Sequence, residues 1–96
     1  VWVAPAPSAA LLDANAAGVA YVQRMIPTLR ATVNANPLVN IGYVALEQGG
    51  VVAFDDEAVV DSLLKVAPFD PRTRPWYTAA RDAGRTVWVD TYVDAN

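Results

Sequence analysis

The fold is decided by residues 39–54, which read VNIGYVALEQGGVVAF. Every second residue from Val39 to Ala45 falls on the same face of an extended chain, as expected of a strand. A Gln-Gly-Gly turn follows, and a second apolar run ends at Phe54. Two such runs separated by a short glycine-containing turn predict a β-hairpin.

Upstream of the hairpin, apolar residues recur at steps of three and four. They are Leu12, Ala16, Val19, Val22, Ile26, Leu29 and Val33. This spacing predicts one long amphipathic helix over residues 8–35, with Ser8 as its N-cap. Pro27 lies inside it and has no backbone N–H to donate, so we expect a kink or a break near Met25.

Downstream of the hairpin, two shorter helices are predicted. Asp55, Asp56 and Glu57 form an acidic opening to a short helix that ends by Val66, where negative charge suits the first turn. The same three carboxylates could suggest a cation site, but their spacing lacks the alternating ligands and the glycine of an EF-hand loop, which favours a solvated acidic turn. A second helix over 76–83 is bracketed by Pro75 at its first position and Gly84 just past its end.

After Arg85 the sequence alternates again, which predicts a last strand. One face carries Trp88, Asp90, Tyr92 and Asp94, and the valines at 87, 89 and 93 lie on the other. We assign Trp88 to the core. The chain is therefore expected to be a single domain over 1–96 of mixed α/β class, of the α+β kind, with a helix and an antiparallel sheet.

Composition excludes several classes of protein. Of the 96 residues, 54% are hydrophobic and 18% charged, with a formal net charge of -3, which gives no basic surface for nucleic acid. There is no cysteine and no histidine, which removes thiolate metal sites, the commonest metal ligand and the commonest general base. We therefore expect no metal, no cofactor and no enzymatic activity. No stretch is long and apolar enough to span a membrane.

The last third of the chain concentrates groups suited to recognition. They are Arg74, Trp76, Tyr77, Tyr92 and Asp94. An arginine grips a carboxylate with two parallel hydrogen bonds, and indole and phenol groups add donors. A nearby carboxylate accepts from an ammonium group, and aromatic walls exclude water. This set predicts a pocket for a small zwitterion.

Residues 69–77, FDPRTRPWY, followed by Gly84, Trp88 and the Tyr-Val-Asp at 92–94, resemble the signature of bacterial Cache domains. The resemblance covers residues 36–96, and residues 1–35 match only in being helical. It implies a PAS-like antiparallel sheet behind a long N-terminal helix, with 36–96 as the pocket-forming portion. The chain would supply about three strands of that sheet, so the module is expected to be incomplete here.

The resemblance also implies roles for single residues. In double-Cache members that bind amino acids, the residues matching Arg74, Trp76 and Tyr77 hold the ligand's carboxylate. Those matching Tyr92 and Asp94 lie on the following strand, and the aspartate takes the amino group. Phe69 borders the same pocket, where such members usually have tyrosine.

The resemblance thus implies an extracytoplasmic, periplasmic ligand-binding sensor domain of a bacterial receptor such as a chemoreceptor or histidine kinase. The ligand would be an amino acid or a related small carboxylate. We expect the parent protein to be anchored in the inner membrane and to continue into the remaining strands, a second Cache module, a transmembrane helix and an output domain. The long helix could also pair with its twin in a homodimer.

Two other interpretations stay open on the residues alone. The chain could be a structural or dimerisation module of a membrane receptor with no ligand of its own. It could also be a hydrolase that uses Asp90 and Asp94 as an acid/base pair, although no nucleophile or oxyanion donors accompany them. For single residues, Arg74 could merely cap a loop or pair with Asp70 or Asp82, and Asp94 could be a turn former. Trp76 and Tyr77 could be core aromatics of the helix.

Overall fold

The structure, a computed structural model, describes residues 1–89 of the 96-residue chain. Within that range, five helices and three strands follow one another, with short 3-10 turns at Gln48–Gly50 and Pro71–Thr73. In chain order they are β1 (Trp2–Val3), α1 (Ala9–Ala14), α2 (Ala16–Gln23), α3 (Ile26–Ala35), β2 (Tyr43–Ala45), β3 (Val51–Phe54), α4 (Ala58–Leu64) and α5 (Pro75–Ala83). The mixed, α+β class predicted from the sequence is confirmed.

The hairpin predicted over residues 39–54 is present. β2 and β3 pair antiparallel, with Tyr43 opposite Phe54 and Ala45 opposite Val52. The turn between them holds two glycines at positive φ, Gly49 at 72° and Gly50 at 59°. Because side chains rarely adopt this region of backbone space, the Gly-Gly pair is what allows the chain to reverse here.

A third strand, β1, completes the sheet and was not predicted. It lies antiparallel to β3 on the side opposite β2, with Trp2 against Val52 and Val3 against Val51. Trp2 and Val3 are both fully buried. Two residues are too short to show a strand periodicity, so only the tertiary pairing reveals this strand.

The central strand β3 is buried on both faces, which places it between two apolar layers. One layer joins Val52 and Phe54 to Trp2 and to the helix α4 residues Val60 and Leu63. The other joins Val51 and Ala53 to Val3 and to Val22 of α2. A continuous Val-Val-Ala-Phe run is what a strand covered on both sides requires.

The N-terminal helical segment differs from the prediction. The expected break near Met25 is confirmed, since α2 ends at Gln23 and α3 begins at Ile26 with Pro27 in its first turn. A second break occurs at Asn15, so three consecutive helices replace one long helix. Asn15 has φ -116° and ψ 24°, and its side-chain amide donates to the carbonyl of Leu11 at 2.8 Å. Such local side-chain bonding competes with helix continuation, which explains the break.

The apolar stripe along these helices nevertheless faces the sheet. Of its seven members Val22 is buried, Ala16 is exposed and the other five are half-buried. Leu12, Val19 and Ile26 pack against the layer that contains Val22 and Val51. The helical spacing therefore correctly identified the inner face, although the helix itself is interrupted.

Both downstream helices form close to their predicted bounds. The Asp56 carboxylate accepts from the backbone N–H of Ala58 at 2.9 Å, which satisfies a free donor at the start of α4. Pro75 opens α5, and Gly84 ends it in the left-handed conformation at φ 64°. This is the proline-first, glycine-last arrangement that the sequence indicated.

The assignment of Trp88 to the core is wrong. Residues 86–89 form no regular element, and the Trp88 side chain is 100% exposed. The chain leaves the packed body at Gly84, and no other part of residues 1–89 covers the indole. The predicted last strand continues into residues 90–96, which lie outside the described part of the chain.

Candidate functional site

The loop over residues 69–74, which we call the recognition loop, lies beside the hairpin, where α5 meets strand β2. The rings of Trp76 and Tyr43 pack with centroids 4.5 Å apart at an interplanar angle of 59°. Tyr43 in turn packs on Phe54 of the central strand at 5.7 Å. This row of aromatic rings fixes the start of α5 against the sheet, and such ring pairs stabilise by about 0.5–1.5 kcal/mol each beyond their buried area.

The loop before α5 is held by an ion pair between Asp70 and Arg72. The guanidinium donates Nη2–H to Asp70 Oδ2 at 2.7 Å and Nε–H to Oδ1 at 2.9 Å. The same Oδ1 accepts from the backbone N–H of Arg72 at 2.9 Å and so caps the 3-10 turn. The hydrogen bond from Arg72 lowers the pKa of Asp70 below 3.8, and Asp70 in turn raises the pKa of Arg72.

Arg72 also ties this loop to the hairpin turn. Its Nη1 donates to the carbonyl oxygen of Glu47 at 3.2 Å. Gly50 in the same turn lies so close that a methyl group there would sit 3.0 Å from Asp70 Oδ1 and 3.2 Å from Arg72 Nε. The turn and the loop therefore form one tightly packed corner of the molecule.

A second bond joins the turn to α5. The hydroxyl of Tyr77 donates a hydrogen bond to Oε2 of Glu47. Burial, this bond and the negative charge of Glu47 together raise the pKa of Tyr77 to about 12, against a partial opposing effect of Arg81. Tyr77 is therefore a neutral hydrogen-bond donor throughout the physiological range.

A shallow concavity of about 360 Å³ opens on the outer face of α5. It is lined by Trp76, Tyr77, Ala80 and Arg81. Small-molecule pockets usually have volumes of roughly 300–1,000 Å³ with apolar walls and a few polar groups, so this concavity falls within that range. A second hollow between α2 and the hairpin turn, lined by residues that include Asn15 and Gln48, measures about 90 Å³ and falls below it.

The structure brings together some of the predicted site residues. Trp76 and Tyr77 share the concavity, with ring centroids 5.8 Å apart. Arg74 is half-buried at the N-cap of α5, directly before them. The two carboxylates suggested as its partners have arginine neighbours, since Asp70 binds Arg72 and Asp82 binds Arg81 at 3.2 Å.

Phe69 lies on the core side of the loop. Its ring meets Trp2 edge to face at 5.9 Å, and its carbonyl accepts from the Trp2 indole. Tyr92 and Asp94, and with them Asp90, lie outside the described residues. Their predicted roles on the facing strand therefore stay predictions.

The sequence did not indicate Glu47 as part of this corner. It lies 30 residues before Tyr77, and no motif connects the two positions. The role of Asp70 is easier to predict from sequence, because an aspartate directly before a proline is typical of a turn that the aspartate side chain caps. A pairing between distant surface residues leaves no such local signal.

The described part of the chain shows neither a metal cluster nor a membrane-spanning helix. Within residues 1–89, no three His, Cys, Asp or Glu side chains converge as metal ligands would. The acidic segment at 55–57 instead makes hydrogen bonds within the chain. The Asp55 carboxylate accepts from the backbone N–H of Gly42 at 3.0 Å. No helix in residues 1–89 has the length and hydropathy needed to cross a bilayer.

Comparison with known proteins adds no relative. No family model, no curated protein and no solved structure matches this chain. The chemistry proposed for the corner between the hairpin turn and α5 therefore depends on its residues and on their geometry.

Proposed function

We propose that this chain is the ligand-binding part of an extracytoplasmic sensor domain of a bacterial signal-transduction receptor, of the Cache type. The ligand is an amino acid or a related small carboxylate. The observation that carries the proposal is the position of Arg74, Trp76 and Tyr77. They stand in sequence at the start of α5, next to a concavity of about 360 Å³ whose walls Trp76 and Tyr77 share with Arg81.

Charge supports a carboxylate as the group that is recognised. The N-terminus of α5 carries the partial positive charge of a helix dipole, and Arg74 precedes it. Arg81 lies about two turns further along the helix. The Tyr77 hydroxyl, which donates to Glu47 in this structure, is a neutral donor in the same concavity as Arg81. Two guanidinium groups, a helix N-terminus and a phenol form a donor-rich surface that suits an anionic group.

The placement of the concavity also suits signalling. α5 contacts the sheet through Trp76 and Tyr43, and β3 of that sheet packs on Val22 of α2. A ligand that binds two positions of α5 unequally shifts the population between them, and the shift passes through the sheet to the N-terminal helices. The output domain, a PAS-like completion of the sheet and the membrane anchor belong to the parent receptor under this proposal.

Isothermal titration calorimetry of the 96-residue chain tests the proposal. The probes are glycine, L-alanine, L-valine, L-aspartate, acetate and propionate. We expect saturable heat with at least one of them and a loss of affinity of tenfold or more, about 1.4 kcal/mol, in the variant Arg74→Ala. Arg85→Ala removes an exposed arginine just past the end of α5 and is the matched control. It should bind as the wild type does.

Two results would contradict the proposal. One is the absence of saturable heat with every probe, both for the wild type and for variants that keep Arg74, Trp76 and Tyr77, when each chain melts cooperatively. That result would leave a structural or dimerisation role as the better account. The other is equal affinity in the Arg74→Ala and wild-type chains, which would show that Arg74 is not part of the binding site.

A further inference from the structure

We infer that Glu47 is an internal competitor for the ligand, whose side-chain carboxylate holds the Tyr77 hydroxyl until a ligand carboxylate displaces it. The inference rests on the proposed function, because it assigns a regulator to the same site. It adds a residue from the hairpin turn, which lies outside the recognition loop and outside α5.

The Tyr77 hydroxyl can donate to only one acceptor at a time. A tyrosine hydroxyl has one hydrogen to donate, and in this structure Tyr77 donates it to Glu47 Oε2. A carboxylate that approaches the concavity along Trp76 and Arg81 therefore meets a donor that is already engaged. The two carboxylates cannot both accept this hydrogen in a full-strength bond.

Glu47 combines a fixed backbone with an exposed side chain. Its backbone is anchored, because Arg72 donates to its carbonyl oxygen at 3.2 Å and Asp70 holds that guanidinium. Its side chain is exposed, and its carboxylate accepts from the Tyr77 hydroxyl. A side chain attached to a fixed turn can rotate into solvent without disturbing the fold, as a displaceable group must.

The charges around Tyr77 also favour a carboxylate in the place that Glu47 occupies. Arg81 and Arg72 place positive charge near the Tyr77 hydroxyl, which lies in the first turn of α5, and the Glu47 carboxylate partly neutralises that charge. An incoming carboxylate would restore the same charge balance that Glu47 provides. Glu47 thus stands in for the chemical group that the site is proposed to recognise.

The size of the effect follows from the population of the contact. If the bond between Glu47 and Tyr77 is formed about nine-tenths of the time, the apparent affinity for a ligand that needs the hydroxyl is about tenfold weaker than the intrinsic affinity. A mutation that removes the competitor should recover that factor. A ligand that does not use the hydroxyl should show no change.

The experiment compares wild type, Glu47→Ala and Glu47→Gln in the calorimetric titrations with the six probes named above. We expect Glu47→Ala to bind carboxylate probes about three- to tenfold more tightly, and Glu47→Gln to lie between the two, since an amide oxygen is a weaker acceptor than a carboxylate. Asp61→Asn on α4 removes an exposed carboxylate elsewhere and is the control for net charge. It should leave the affinity unchanged.

A second readout reports the contact itself. In Glu47→Ala the pKa of Tyr77 should fall below the wild-type value of about 12, because the hydrogen bond and the charge of Glu47 both raise it. An NMR titration of Tyr77 ring signals measures this directly, and Asp61→Asn again serves as control. An unchanged Tyr77 pKa would show that the contact is not formed and would overturn the inference.

The outcomes distinguish failure of the competitor role of Glu47 from failure of the proposed ligand-binding function. Binding by the wild type with no gain in Glu47→Ala overturns the competitor role and leaves the sensor proposal standing. Binding seen only in Glu47→Ala supports both. Absence of binding in both chains overturns both.

Discussion

The indole nitrogen of Trp2 donates a hydrogen bond of 2.9 Å to the carbonyl oxygen of Phe69, 67 residues further along the chain. The two rings also meet edge to face. This contact joins the first strand to the loop that leads into α5, so the start of the chain helps to position the candidate site. It also makes Trp2, a fully buried side chain of the described core, the anchor of strand β1.

Trp2→Ala should strongly destabilise the domain. Truncating a buried tryptophan leaves a cavity and costs about 3–5 kcal/mol, and here the Phe69 carbonyl also loses its donor. Urea unfolding followed by far-ultraviolet circular dichroism measures the change. Trp88→Ala, at a fully exposed indole, is the matched control and should shift the free energy of unfolding by no more than about 0.5 kcal/mol. Equal losses in the two variants would contradict the placement of both side chains.

Gly50 and Gly84 both have a positive φ, and a comparison of the two separates the cost of backbone strain from the cost of steric crowding. A Cβ at Gly50 would lie 2.8 Å from the Ala4 Cβ and 3.0 Å from Asp70, whereas nothing lies within 4 Å of one at Gly84. Gly84→Ala should therefore lose about 1 kcal/mol from strain alone. Gly50→Ala should lose a further 1–3 kcal/mol, roughly, from overpacking. Chemical denaturation of both variants tests the order, and a larger loss at Gly84 would refute it.

The ion pair between Asp70 and Arg72 predicts a specific acid sensitivity. Because the pKa of Asp70 is lowered by Arg72, its contribution to stability is fully present above the ordinary aspartate value of 3.8 and is lost as the pH falls through the folded-state pKa. Asp70→Asn should cost about 1 kcal/mol at neutral pH, a modest value because both side chains are partly exposed.

Thermal melts of the wild type and of Asp70→Asn across an acid series measure this linkage. The difference in melting temperature should be largest at neutral pH and should shrink on acidification. Asp13→Asn, at an exposed position on α1, should follow the wild type throughout. A difference that stays constant with pH would contradict the lowered pKa of Asp70 in the folded state.

The packing of Trp76 on Tyr43 predicts how α5 detaches. Trp76→Ala removes this ring contact, so α5 should open locally more often without global unfolding. Limited trypsin digestion followed by mass spectrometry should then show faster cleavage after Arg81 on α5. Cleavage after Arg24, at the end of α2, should keep its wild-type rate and serves as the internal control. Parallel acceleration at both sites would mean that the whole fold was destabilised.

The elements that could be predicted are those whose signals are local. Pro75 and Gly84 bracket α5 because each fixes the backbone at its own position, and the glycine pair at 49 and 50 reverses the hairpin for the same reason. The spacing of the apolar stripe identified the inner face of the N-terminal helices. In the candidate site, Pro75 fixes where α5 begins. Arg74 is therefore at the N-cap, and Trp76 and Tyr77 lie in the first turn.

The tertiary structure decided what depends on distant partners. Strand β1 forms because it can pair with the free edge of β3. Trp88 is exposed because no part of residues 1–89 covers it. Glu47 contacts Tyr77 because the hairpin turn and the start of α5 lie at the same corner of the molecule. None of these is encoded within a few neighbouring residues. The sequence by itself determined where the backbone turns and which faces are apolar, since dihedral preference and hydropathy are properties of single residues. Which faces meet depends on how all the apolar surfaces are buried together, and that is settled only when the whole chain folds.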